Sequence, residues 1–346
     1  MKGEFTRQEI FSQPDAWGAA LEVLAGEREA VQALLHDNRY ESVIFTGCGS
    51  TYYLSLAAAA LFQGQTGVNA RALPASEIWL YPRSAFRADG KTLLVAVSRS
   101  GETTETLHAV EQFKTMGGGS VLTLSCYPDK ALASMGDLNV VLPSGQEQSV
   151  AQTRAFSVLY LATVMLTAFW DDQQPLIDEL GKLSQAGRQL LQRYSDLAVD
   201  WGRRTTLDRF YFLGSGPRYG LACELNLKMK EMSLTHSEPF HFMEFRHGPM
   251  SMVTPDTLVV GLRSEQNRTQ ENQVLEDMRA RGAQVLSLAE DDADVAFASG
   301  LSETARNILY LPVAQVMAYE RSLAKGLDPD RPHNLEAVVR LDGRSS

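Results

Sequence analysis

Three groups of residues in this sequence have the types and spacing to do chemistry. The first is Ser98-Arg99-Ser100-Gly101-Glu102-Thr103, which sets three hydroxyls and a glycine between the apolar run Thr92–Ala96 and a helix-like stretch. A helix start carries unpaired N–H groups and the positive end of the helix dipole. Ser98, Ser100 and Thr103 add hydroxyl donors, Gly101 lets the backbone approach closely, and Arg99 could add a cation. Such a turn suits a phosphate. Ordinary capping by Ser and Thr is the competing reading. Gly47-Cys48-Gly49-Ser50-Thr51 is a second turn of this kind, and a lone G-x-G is equally a tight turn.

Glu224, Lys228 and Glu231 form the second group. Intervals of four and three put them on one helical face, either as a solvated salt-bridge face or as a site with a usable carboxylate. Leu225, Leu227, Met229 and Met232 supply apolar positions around it. The third group is His247. Pro239 breaks the helical pattern, and Glu244-Phe245-Arg246-His247-Gly248-Pro249 follows with a loop signature. A carboxylate and an imidazole beside a phosphate turn make a proton-transfer pair. His236 and His241 are near enough in sequence to act behind it; the remaining histidines carry no motif. There is no nucleophile elbow, zinc spacing or dinucleotide fingerprint.

The elements that must position these groups alternate. The first ~40 residues have helical periodicity, with Pro14 near the start of the Ser12–Asp37 stretch. Ser42–Ser50 reads as a buried strand ending in a glycine turn, and Thr51–Gln63 as a helix. Thr92–Val97 reads as a strand, Thr104–Gly117 as a helix and Ser120–Ser125 as a strand. This is the pattern of a parallel sheet wrapped by helices. The pattern then recurs: Phe210–Gly220 repeats the first strand and G-x-G turn, and Thr257–Ala289 repeats the segment from Thr92, both at an offset of about 165 residues. The second copy has Arg263–Thr269 in place of the hydroxyl turn, so one anion site per chain is expected. The expected organisation is a helical segment (1–40), a first α/β domain (41–172), a helical linker (173–200) and a second α/β domain with a C-terminal tail (201–346).

Composition narrows the function. The chain has 346 residues, 44% of them apolar, and a net charge of −10. That is enough for two cores, and it argues against nucleic acid or an anionic membrane as the main partner. Three cysteines without ligand spacing read as reduced thiols, and the first residues lack a signal-peptide core; a cytoplasmic protein is expected. Val158–Trp170 is too short to span a bilayer and reads as a buried helix.

Several longer stretches carry a resemblance. TGCGSTYY (46–53), SRSGETTET (98–106), SVAQTRAFS (149–157), ELNLKMKEMSLTHSE (224–238), EFRHGP (244–249) and GLDPDRPHNL (326–335) occur in this order. Across nearly its whole length the chain resembles the sugar isomerase (SIS) domain family, above all the isomerase half of glucosamine-6-phosphate synthase. The resemblance implies two tandem flavodoxin-like domains and a homodimer with its site at the subunit boundary. It assigns phosphosugar binding to Ser98, Arg99, Ser100 and Thr103, with Gly49, Ser50, Thr51 and Gln152 as further substrate contacts. It makes Glu231 the residue that moves the proton between C1 and C2, His247 the ring-opening histidine from the neighbouring subunit, and Glu224 and Lys228 the polar residues on the same helix face.

Departures from the synthase pattern matter equally. No glutaminase domain is expected ahead of this chain. Where the synthase has a Schiff-base lysine near its C-terminus this chain has Ala337, and nearby Arg340 cannot do amine chemistry. The expected reaction is therefore the deaminating one, an amino-hexose 6-phosphate giving a ketose 6-phosphate and ammonia, with no metal or organic cofactor. The alternatives are a deglycase of fructosamine-type 6-phosphates, a plain phosphosugar isomerase, and a non-catalytic sugar-phosphate sensor. The first ~40 residues show no basic recognition helix of the kind DNA-binding sensors carry.

Overall fold

The computed structural model describes residues 2–37, 40–339 and 341. They form two compact units, neither continuous in sequence. One comprises Asp15–Glu147, Arg154–Gly181 and Glu336–Ser346; the other comprises Met1–Pro14, Gln148–Thr153 and Lys182–Leu335.

The first-named unit is built on a sheet of β1 (Ser42–Gly47), β2 (Asn69–Pro74), β3 (Thr92–Ser98), β4 (Gly119–Ser125) and β5 (Leu138–Val141). Its order is β2-β1-β3-β4-β5 and every pairing is parallel. All of β3 is buried, as expected for a central strand covered on both faces. Ile44, Leu94, Ala96, Val110, Phe113 and Val121 pack into one core on a single face. The helix Arg154–Trp170 is buried at every residue from Ala155 to Phe169, which explains an apolar stretch without a polar face. Among the described residues no helix is long and apolar enough to cross a membrane.

The other unit repeats this plan with β6 (Arg209–Gly214), β7 (His236–Phe240), β8 (Thr257–Leu262), β9 (Gln284–Ala289) and β10 (Val295–Ala296), in the order β10-β9-β8-β6-β7 and again all parallel. Tyr211, Leu213, Val259, Val274 and Met278 form its core, and Phe242 and Phe245 reach in from the segment after β7. Numbered within each sheet, both run 2-1-3-4-5, the flavodoxin-type order. Pro239, which ends the helical pattern, lies in β7, opposite Phe212. β7 is an edge strand, where the missing N–H costs no ladder bond.

Candidate active site

In an open parallel sheet of this order the chain leaves the first strand toward one edge and returns toward the other, so a crevice opens between strands one and three. In the first sheet that switch point lies between β1 and β3, and each ends there in a candidate turn. After β3 the hydroxyls converge. Ser98 Oγ lies 3.2 Å from Thr103 Oγ1, and Ser100 Oγ 3.5 Å from it. The Gly101 N–H donates to Ser98 Oγ and the Glu102 N–H to Ser100 Oγ, both at 3.2 Å. Gly101 has φ 68°, left-handed backbone that favours glycine, and a Cβ there would sit 2.9 Å from Lys130 Cβ. Thr103 precedes the helix Thr104–Thr115 in extended backbone, the geometry of an N-cap. Among the described residues these hydroxyls meet only one another and the turn's own amides. Arg99 is turned elsewhere: its buried guanidinium pairs with Glu147 at 3.3 Å and donates to the Ala337 carbonyl at 3.1 Å.

After β1, Gly49 (φ 56°) precedes the helix Ser50–Thr66. Thr51 Oγ1 accepts from the Cys48 N–H and donates to the Cys48 carbonyl, each at 2.9 Å, so the hydroxyl locks the turn. A Cβ on Gly47 would stand 2.4 Å from that oxygen, which is why the strand must end in glycine. Ser50 and Thr51 are buried. Burial also pushes the Cys48 thiol up to about 11, so it is held as the thiol at neutral pH.

The other unit holds the acid–base candidates. Its helix Pro217–Ser233 carries Glu224, Lys228 and Glu231. They are not a solvated face: Glu224 and Lys228 are 0% and 1% exposed. Lys228 Nζ lies 3.4 Å from Glu224 Oε1 and 2.5 Å from Glu231 Oε2. Only Glu231 reaches solvent, at 20% side-chain exposure. Spacing alone cannot tell this arrangement from a surface ladder, because the helix buries most of its circumference. A buried cation on a buried carboxylate thus aims one accessible carboxylate outward, as a positioned general base requires.

His247 ends the short turn Glu244–Arg246, fixed by its N–H to the Glu244 carbonyl at 2.9 Å, and its side chain is exposed. Phe245 is buried in the core beside it, and Arg246 pairs with Asp277 at 2.6 Å, so the loop is anchored on both sides. His241 stacks on Tyr219 with centroids 3.8 Å apart, and burial lowers its pKa. His236 lies 3.3 Å from Glu238 on β7. Gln152 sits in the irregular segment Gln148–Thr153, its Oε1 buried and accepting no hydrogen bond. Ala337 contributes a carbonyl to Arg99; Arg340 lies outside the described residues. Glu147, which holds Arg99, was missed in sequence: nothing in the spacing of Gly145–Ser149 marks it.

Comparison with known proteins agrees with the two-sheet fold. The model of the SIS domain matches residues 35–169 and 206–318, one stretch for each sheet. The glutamine–fructose-6-phosphate aminotransferase (isomerizing) of Pseudomonas aeruginosa is 28% identical over 99% of this chain, and that of Thermococcus kodakarensis 29% over 98%. The chain spans 60% and 58% of their lengths, respectively. Among solved structures, a glucosamine-6-phosphate deaminase from Thermotoga maritima matches with TM-score 0.77 and 25% identity, covering 93% of this chain and 99% of that one. A tagatose-6-phosphate ketose/aldose isomerase from Escherichia coli shares the fold at TM-score 0.85 and 24% identity, covering 95% of each chain. With two matched stretches that take in most of both sheets, the chain belongs to the SIS domain family.

Proposed function

We propose that this protein is a phosphosugar isomerase that works in the deaminating direction, converting an amino-hexose 6-phosphate to a ketose 6-phosphate and ammonia. The observation that carries this reading is the hydroxyl cluster at the switch point of the first sheet, a cradle of donors at a helix start. Ser98, Ser100 and Thr103 hold the phosphate, with Gly49, Ser50 and Thr51 lining the neighbouring turn. Remote binding of the phosphate orients C1 and C2. Glu231, steered by Lys228 and backed by Glu224, takes the proton from C2 of the open-chain aldose, acidified by the C1 carbonyl, and delivers one to C1. The resulting ketose imine adds water and expels ammonia, so the sum is amino-aldose phosphate plus water to ketose phosphate plus ammonia. His247 assists ring opening; its exposure suits the service of a neighbouring subunit in a homodimer. Gln152 contacts the sugar. Likeness along the whole length of a glucosamine-6-phosphate deaminase supports the direction, and Ala337 in the Schiff-base position disfavours a synthase.

The test is a pair of coupled assays, for ammonia and for fructose 6-phosphate, on glucosamine and galactosamine 6-phosphates. Ammonia from either supports the reading; ammonia from neither overturns it. A fructosyl-amino-acid 6-phosphate that releases its amino acid instead would make the protein a deglycase.

A further inference from the structure

The segment carrying Gln152 is irregular backbone. Residues 148–153 belong to no helix or strand, although Ser149, Ala151 and Thr153 are buried. Buried backbone polar groups without a ladder must find partners elsewhere. Two amides and a hydroxyl of the segment find theirs in Glu9, on the helix Glu4–Phe11. Glu9 is 3% exposed. Its Oε1 accepts from the Gln148 N–H at 2.6 Å and the Ser149 N–H at 3.2 Å, and its Oε2 accepts from the Ser149 hydroxyl. The Val150 N–H donates to the Asp330 carbonyl at 3.1 Å. The carboxylate of Asp330 in turn accepts from the Phe5 and Thr6 N–H groups, at the start of the same helix. At the far end Gln13 Nε2 donates to Gln315 Oε1 at 2.8 Å, and Gln315 Nε2 donates to the Thr153 carbonyl at 3.4 Å. The backbone on either side of Gln152 is therefore held, while its own Oε1 accepts nothing from the described residues.

We infer that Glu9 is a positioning residue for substrate: its carboxylate shapes the Gln148–Thr153 segment so that Gln152 presents its amide to the sugar. A carboxylate suits this task because the Gln148 and Ser149 amides and the Ser149 hydroxyl all donate to it, and a carboxamide offers one acceptor oxygen and two protons that would oppose them. The inference rests on the proposed reading of Gln152 as a substrate contact, and it gives the N-terminal helix a functional task.

The experiment measures the Kd of fructose 6-phosphate by calorimetry for the full-length wild type, Glu9→Gln, Gln152→Ala and the double variant. Each single variant should weaken binding about three- to tenfold, the worth of roughly one hydrogen bond. The double variant should bind no worse than Gln152→Ala, because the two changes remove one contact. Effects that multiply would assign Glu9 a merely structural role and overturn the inference, as would wild-type binding by Glu9→Gln. A Gln152→Ala variant that binds like wild type would instead overturn the reading of Gln152, and the inference with it. Ser149→Ala, which keeps both amide bonds to Glu9, replaces Glu9→Gln if that variant does not fold, with the same required non-additivity.

Discussion

The turn after β3 and the turn after β8 start from one plan and end in opposite states. Each follows the third strand of a 2-1-3-4-5 sheet, leads into a helix and lies beside the switch point of its own unit. In the first, among the described residues, hydroxyls meet only one another and the turn's amides. In the second, Glu271 folds back from the first turn of the helix Arg268–Ala280. Its Oε2 accepts from the Ser264 N–H at 2.5 Å and from the Ser264 hydroxyl at 3.1 Å. Arg263 is likewise engaged, by Asn272 and by the carbonyls of Asp291 and Asp292. The same helix-start physics favours an anion in both places; in the second the chain supplies its own. At the 165-residue offset Glu271 corresponds to Thr106, whose hydroxyl instead contacts Cys48 Sγ at 3.6 Å. Glu271, together with Arg263, Glu265 and Arg268 in place of Ser98, Ser100 and Thr103, thus separates a filled turn from one lined with hydroxyls.

The strongest way to break this comparison is Thr106→Glu, which offers the first turn the carboxylate of the second. Two unit charges ~4 Å apart repel by about 4 kcal/mol at an effective dielectric of 20. The affinity for a sugar phosphate should fall about a thousandfold, read by calorimetry after circular dichroism confirms the fold. Next in size is Ser100→Ala with Thr103→Ala. Removing two donors to a charged group at roughly 1.5–3 kcal/mol each should raise KM for phosphorylated sugars by about a hundredfold or more. An unchanged KM would send the phosphate elsewhere.

Glu271→Gln sharpens the comparison from the other side and should leave KM within about twofold of wild type, since Glu271 bonds Ser264 and none of the residues given a substrate role. Its effect is on stability. Burial raises the pKa of Glu271, with the Ser264 amide opposing. An acid whose folded value is raised contributes fully below its unfolded value, about 4.3 for glutamate, and loses that contribution as pH rises through the folded value. Denaturant midpoints across that window should fall with pH more steeply in the wild type than in Glu271→Gln.

Much of this was legible in sequence where the signal was local. β3 and the helix after it stand out because six successive apolar or small residues are followed by cap-forming hydroxyls. The 165-residue repeat exposes the second sheet and the loss of its hydroxyl turn. The edge strands were harder: β2, Asn69–Pro74, alternates weakly, and β7 contains Pro239 and runs only from His236 to Phe240. Neither has the apolar run that marks a strand covered on both faces. At the site, the Glu224–Lys228–Glu231 face was visible, but its burial was not, because a charged face at helical spacing has the same pattern wet or dry. Glu9 and Glu147 gave no sign, since each acts on backbone or on a cation far away in sequence.

The central claim is that Glu231 carries hydrogen between two carbons of a sugar held by the hydroxyl turn. It is tested most directly by running glucosamine 6-phosphate with wild type and Glu231→Gln in deuterium oxide and reading the sugar by NMR. The wild type should place deuterium at C1 of the ketose phosphate, and Glu231→Gln should bind the sugar with wild-type affinity yet incorporate about a hundredfold less or lower still. Incorporation by Glu231→Gln at the wild-type rate would contradict the account.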